Sequence, residues 1–283
     1  MISESADGNH RILMHGTTIH GAERITAPAE DEDADEDAKP KETAAAETKP
    51  SDRPTPLTYY FDGSPLAQSV EAARQKAGGP ARIAVIGLGS GSLACQTKPG
   101  DKLTYYEIDP TIVRIARDPE RFTFLTSCAP DATIVLGDAR LTLVDAPDAA
   151  YDLIIVDAFS SDAIPIHLMT REAMELYARK IAPNGMVVMH LSNRHLELAS
   201  VVAGIAQANG LVVRLNDDET DNTDDGAYRF ESTVAAVARK DEDFGTLAKS
   251  KHWVVKAPDR GQWVWTDDYS NIIGSVIRKM REE

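Results

Sequence analysis

One stretch constrains this chain more than any other: residues 83–109, IAVIGLGSGSLACQTKPGDKLTYYEID. Ile83, Ala84, Val85 and Ile86 make a short apolar run that stops at Gly87, and such a run bounded by turn residues predicts a buried parallel strand. Gly87, Gly89 and Gly91, with Ser90 between them, let the backbone turn sharply and approach a ligand where a Cβ would clash. Residues 92–96 then predict the opening of a helix whose free N–H groups face that ligand. The next strand, 103–106, ends in Glu107, twenty residues after Gly87. An acid there can accept hydrogen bonds from both hydroxyls of a ribose, the logic of nucleoside sites on doubly wound sheets.

The loop also discriminates between ligands. A dinucleotide fold prefers GxGxxG, and here the place of the last glycine is Ser92, so a pyrophosphate is poorly served. A nucleoside carrying a sulfonium has no phosphate and fits better. The bland alternative is a tight glycine turn with no ligand.

From residue 83 onward strands and helices alternate, which predicts an α/β fold with a parallel sheet. Strand three is 133–136, followed by Gly137, Asp138 and Ala139; strand four is 153–156, closing in Asp157. A helix over 170–181, capped by Thr170, leads to strand five at 186–191, a helix over 196–209 and strand six at 211–215. Residues 232–238 make a last strand with no helix before it, so it should lie antiparallel. The expected fold is a seven-stranded Rossmann-like, methyltransferase-type sheet. Ahead of it, residues 1–29 read as an N-terminal β-hairpin region, 30–56 as an acidic disordered insert, and 57–283 as the nucleoside-binding catalytic domain. Within that domain, 57–62 predicts a strand and 66–76 a helix.

A net charge of −15 argues against nucleic-acid binding, since phosphate neutralisation needs a basic surface. Much of the excess is local: residues 30–52 carry ten carboxylates against three lysines, too little apolar surface to offset the entropy of ordering. No run approaches the length of a membrane span, and the polar start is not a signal peptide. Cys95 and Cys128, without CxxC spacing, fit a reducing cytoplasm and the role of separate small core residues. His15 and His20 read as surface or pocket residues, not metal ligands, and His190 and His195 as structural histidines at a strand end. No metal site is expected.

Ligands of such sheets bind outside the carboxyl ends of the strands, where Glu107, Asp138 and Asp157 arrive independently. Each could be an ordinary helix cap; three at one edge point to a nucleoside pocket. Asp157 opens DAFSSDAIPIHLMT, which adds Asp162. A primary ammonium, with a pKa of about 10, cannot attack carbon until it loses a proton, so paired carboxylates suit an amine substrate.

These residues resemble the polyamine aminopropyltransferases, the family of spermidine synthase, through IAVIGLGSGSLA, YYEIDP, GDAR and YDLIIVDAFSSDAIP, and more loosely through RILMHG and TYYFD. WTDDYSNII resembles a divergent bacterial branch often joined to a transporter-like membrane domain. The resemblance implies decarboxylated S-adenosylmethionine as co-substrate, bound by Gly87, Gly89, Ser90, Gly91 and Glu107, with Asp138 and Ala139 at the adenine. It implies Asp157 as general base, Asp162 as a grip on the ammonium, Tyr59 and Tyr60 along the polyamine channel, and a homodimer. Ser90 stands where the family carries an acid for the cofactor's amino group, which makes S-adenosylmethionine itself easier to accept. A small-molecule methyltransferase and a non-catalytic nucleoside module are therefore the competing readings.

Overall fold

A computed structural model of the chain describes residues 1–6, 8–16, 18–25, 53–159, 165–193, 195–219 and 228–282. Most of the predicted acidic insert, and Asp162, lie outside them. The N-terminal strands β1 (Ile2–Glu4), β2 (His10–His15) and β3 (Thr18–Arg24) form an antiparallel three-stranded sheet, one strand more than the predicted hairpin. Helix α1 (Pro65–Ala77) is defined by its ends. Ser64 Oγ accepts the Ala67 N–H at 3.2 Å, Pro65 presets the first turn, and Gly78 closes the helix in the left-handed region at φ 71°.

The alternating part follows as β4 (Arg82–Ile86), β5 (Lys102–Glu107), α2 (Pro110–Arg117), α3 (Phe124–Cys128), β6 (Thr133–Leu136), α4 (Ala139–Thr142) and β7 (Tyr151–Val156). It continues through α5 (Arg171–Lys180), β8 (Ile181–His190), α6 (Ala199–Ala208) and β9 (Val212–Asp218), and closes with β10 (Ser232–Ala238), β11 (Val254–Val255) and α7 (Ile272–Glu282). The strands order as β11-β9-β10-β8-β7-β4-β5-β6. β4 to β8 are parallel; β10 is antiparallel, as predicted, and lies between β8 and β9.

The sheet has eight strands, not seven. The addition is β11, whose two valines pair with Leu215 and Arg214 of β9 and are themselves exposed, so no apolar alternation marks them in the sequence.

Side chains of β4 alternate between two cores, Ala84 and Ile86 on the side of α5 and α6, Ile83 and Val85 on the side of α1. Burial of both faces is why the strand reads as a continuous apolar run. β4 pairs with β5 on one side and β7 on the other, so the strand order reverses there. Such a reversal leaves a crevice outside the carboxyl end of the strand, beside Gly87.

Three local expectations fail for identifiable reasons. Residues 57–62 are not a strand: Thr58 makes one isolated bridge to Arg229, and its left-handed φ of 58° breaks the pleat and turns Tyr59 and Tyr60 inward. Residues 92–96 form a 3₁₀ turn (Ser92–Gln96) instead of an α-helix, too short for a substantial dipole. Cys95 and Cys128 are not separate residues but a disulfide, with Cα atoms 4.9 Å apart. They lie 33 positions apart and meet because that 3₁₀ turn packs on α3, a tertiary contact their spacing does not reveal.

Candidate active site

The glycine loop is squeezed between two neighbours. Gly87 has φ 101°, and a Cβ there would collide with the Asp157 carbonyl oxygen; at Gly89, φ 56°, it would sit 2.6 Å from the His20 carbonyl. The N-terminal sheet thus seats directly on the loop, and the Ser90 N–H donates to the His20 carbonyl at 3.3 Å. Ser90 itself is fully buried, its side chain pressed against the backbone of Gly21, and Gly91 abuts Leu125 of α3. Both therefore stand behind the loop, outside the cavity lining, whereas Gly87 and Gly89 face it.

That cavity, about 390 Å³, occupies the crevice at the carboxyl ends of β4, β5, β6 and β7. It brings together Glu107, Asp138, Ala139, Asp157, Tyr59 and Tyr60, all singled out from the sequence. Its described lining includes four carboxylates, counting Asp109, and neither lysine nor arginine. His15, His20 and His167 also border it.

Glu107 ends β5 with only 8% of its surface exposed. Burial pushes its carboxyl pKa up, while the Asp109 and Leu88 amides, donating at 2.8 and 2.9 Å, oppose that shift. A carboxylate offers about four acceptor sites, so these amides leave part of its acceptor capacity open to the cavity.

Asp157, at the end of β7, is gripped on both oxygens. Tyr60 donates its hydroxyl to Oδ2, and His190 Nδ1 lies 2.7 Å from Oδ1. The His190 ring packs against Tyr59 at 4.5 Å and Phe159 at 5.0 Å between centroids. Tyr59 donates to the Ile19 carbonyl at 3.0 Å; burial, and then the charge of Asp157, hold its phenol well above the usual range, so it stays protonated. An acid framed by aromatic rings is the chemistry that receives an organic cation.

The chain resembles a polyamine aminopropyltransferase. It is 35% identical over 114 residues to the polyamine aminopropyltransferase of Vibrio vulnificus (strain CMCP6), a match covering 38% of this chain and 37% of that protein. No family model matches. A probable spermidine synthase from Corynebacterium glutamicum ATCC 13032 superposes with a TM-score of 0.52 at 18% identity, over 80% of this chain and 93% of that one. Spermidine synthase from Thermotoga maritima gives a TM-score of 0.49 at 12% identity, over 100% of this chain and 87% of that one. The Corynebacterium likeness shows the fold, a Rossmann-like α/β sheet of the kind predicted.

Asp138 is both cap and partner. Its Oδ1 accepts the Arg140 and Leu141 amides at 2.8 and 3.3 Å, starting α4, and its Oδ2 lies 3.0 Å from His167 Nε2. A second hollow of about 720 Å³ opens beyond this pair, walled by Arg140, Glu172 and the C-terminal residues 266–270. Arg140 clamps Asp267 there through two hydrogen bonds of 2.8 Å.

Two site residues escape a reading of the sequence. Phe159 lies in the loop after Asp157, and His190, which reads as structural, ends β8 at the same edge that singles out Asp157. Strand-end position is the available signal; its meaning depends on knowing that β7 and β8 are neighbours. Among the described residues no three His, Cys, Asp or Glu side chains form a metal-binding cluster, and no helix is long and apolar enough to cross a membrane.

Proposed function

We propose that the chain is a polyamine aminopropyltransferase, moving the aminopropyl group of decarboxylated S-adenosylmethionine to putrescine or a related polyamine and releasing 5′-methylthioadenosine. The observation that carries this reading is Asp157, held by Tyr60 at a cavity edge whose described lining contains four carboxylates and no basic side chain other than histidine. Such a lining favours a cationic donor and a cationic acceptor over anionic partners. The partial match to the Vibrio vulnificus protein supports the same reading.

In this scheme Glu107 receives the ribose hydroxyls, Gly87 and Gly89 admit the nucleoside close to the backbone, and Asp138 with Ala139 meets the base. Tyr59 and Tyr60 guide the amine. Asp157 accepts a proton from the acceptor ammonium, freeing the nitrogen lone pair. That pair forms the new C–N bond while the C–S bond breaks and its electrons stay on sulfur, which leaves as the neutral thioether. Charge is relayed from sulfonium to product ammonium, and the acidic wall faces a cation throughout.

The experiment is a product assay with decarboxylated S-adenosylmethionine and, in turn, putrescine, spermidine and cadaverine. 5′-Methylthioadenosine with an aminopropylated amine is expected. S-adenosylhomocysteine formed from S-adenosylmethionine, with no methylthioadenosine from any amine, would replace this reading with methyl transfer. One observation favours that second reading: Ser90, sealed beneath Gly21, places no acid from the glycine loop in the cavity to repel the carboxylate of S-adenosylmethionine.

A further inference from the structure

We infer that His190, oriented by Ser192, is a positioning residue for Asp157, a role that rests on the aminopropyl-transfer reading for its kinetic consequence but not for its chemistry. His190 is 3% exposed and is absent from the cavity lining, so it reaches a bound molecule only through Asp157. Its ring is fixed at both nitrogens, Nδ1 at 2.7 Å from Asp157 Oδ1 and Nε2 at 2.9 Å from Ser192 Oγ. Ser192 Oγ in turn accepts the Thr233 N–H at 3.0 Å.

The carboxylate at Nδ1 asks the ring for a donor there. The Ser192 hydroxyl, which accepts from Thr233, still has a hydrogen to give to Nε2 and so complements a ring whose hydrogen is on Nδ1. The remaining imidazole hydrogen sits on Nδ1 and is donated to the carboxylate, the arrangement an ionised acid requires of a ring nitrogen at this separation. The frame is built from strand geometry. His190 pairs with Val234 across β8 and β10, and the Leu191 N–H donates to the Thr233 carbonyl at 2.7 Å, so β10 delivers the Thr233 amide to Ser192. Tyr60 occupies the other oxygen of Asp157, leaving about two acceptor sites of fixed direction for an incoming ammonium. Losing the imidazole donor frees the carboxylate to rotate, which affects the proton-transfer step more than the binding of either substrate.

The test has two arms on the full chain. Nitrogen-15 correlation spectra of the imidazoles should show a hydrogen on His190 Nδ1, and Asp157→Ala should abolish the downfield position of that proton. An Nδ1 that carries no hydrogen, or an Nδ1 resonance indifferent to Asp157→Ala, overturns the inference whether or not any turnover is measured. In the assay, His190→Ala should lower kcat about tenfold to a hundredfold with KM changed by less than about twofold. His190→Asn, whose amide can donate from the place of Nδ1, should recover at least about tenfold of a hundredfold loss, and Ser192→Ala should fall between. A loss confined to KM, or His190→Asn no better than His190→Ala with both folded by circular dichroism, also overturns it. Absence of turnover in the unaltered protein defeats the functional proposal alone, and the tautomer of His190 is then decided by the spectra.

Discussion

The Glu107 carboxylate accepts the Leu88 amide proton at 2.9 Å, so the acid proposed to meet a ribose also braces the glycine loop beside it. Its other oxygen holds the Asp109 amide at 2.8 Å, tying the turn after β4 to the turn after β5. Glu107→Gln keeps the shape but turns an NH₂ toward one of those amides, leaving a buried donor unpaired. A destabilisation of about 1–2 kcal/mol in urea unfolding is expected. Calorimetry with 5′-methylthioadenosine should show affinity weakened about tenfold, and a variant that loses stability but keeps its affinity would remove Glu107 from the ribose contact.

Asp157→Asn separates chemistry from binding. The amide retains an acceptor for Tyr60 or His190 but cannot take a proton from an ammonium. The expected loss in kcat is about a hundredfold or more, with nucleoside affinity changed less than about threefold. Turnover that survives the substitution would mean that some other group is the base.

The Cys95–Cys128 disulfide fastens the 3₁₀ turn behind the glycine loop to α3 and closes a segment of 33 residues. Removing both cysteines, as Cys95→Ala with Cys128→Ala, should cost about 2–4 kcal/mol, read from the urea midpoint in the absence of reductant. Mass spectrometry after alkylation under denaturing conditions should find neither cysteine modified until reductant is added. Two alkylated thiols in the untreated protein would restore the sequence-based reading of independent core residues.

What the sequence made legible was set by how local the determining physics is. β6 and β10 fall on the residues predicted: the apolar run of β10 is the pattern and the cause of a buried strand, while β6, the half-exposed edge strand, is marked by its β-branched residues and the Gly137 turn that ends it. The gathering of Glu107, Asp138 and Asp157 at one edge was legible for a related reason: each follows its own strand, and parallel strands end on the same side of the sheet. Contacts between distant segments were not legible. The His190 partnership with Asp157 needs β7 beside β8, and the burial of Ser90 needs the N-terminal sheet folded onto a loop roughly seventy residues away, as Gly21 and Ser90 are numbered. β11 failed differently, since two exposed valines leave no period to read.

Asp267 gives a pH-dependent signature on the C-terminal segment. The Arg140 guanidinium, helped by the Thr170 hydroxyl, holds its carboxyl at about 2, below the ordinary value of 3.8. A carboxyl depressed by folding contributes stability that is complete above its unfolded value and is lost as pH falls through the folded one. Asp267→Asn should therefore unfold at lower urea than the unaltered protein near neutral pH, with the gap shrinking as pH drops below about 4 toward about 2. The Asp267 side chain is 46% exposed, so solvent screening limits the gap to about 1 kcal/mol or less. Because Arg140 also donates to the His167 carbonyl at 2.7 Å, while His167 reaches Asp138, loss of the clamp should also loosen the wall shared by the two hollows. A gap that stays constant down to about pH 3 would assign the stabilisation to packing of the C-terminal segment instead of to the Arg140–Asp267 charge pair.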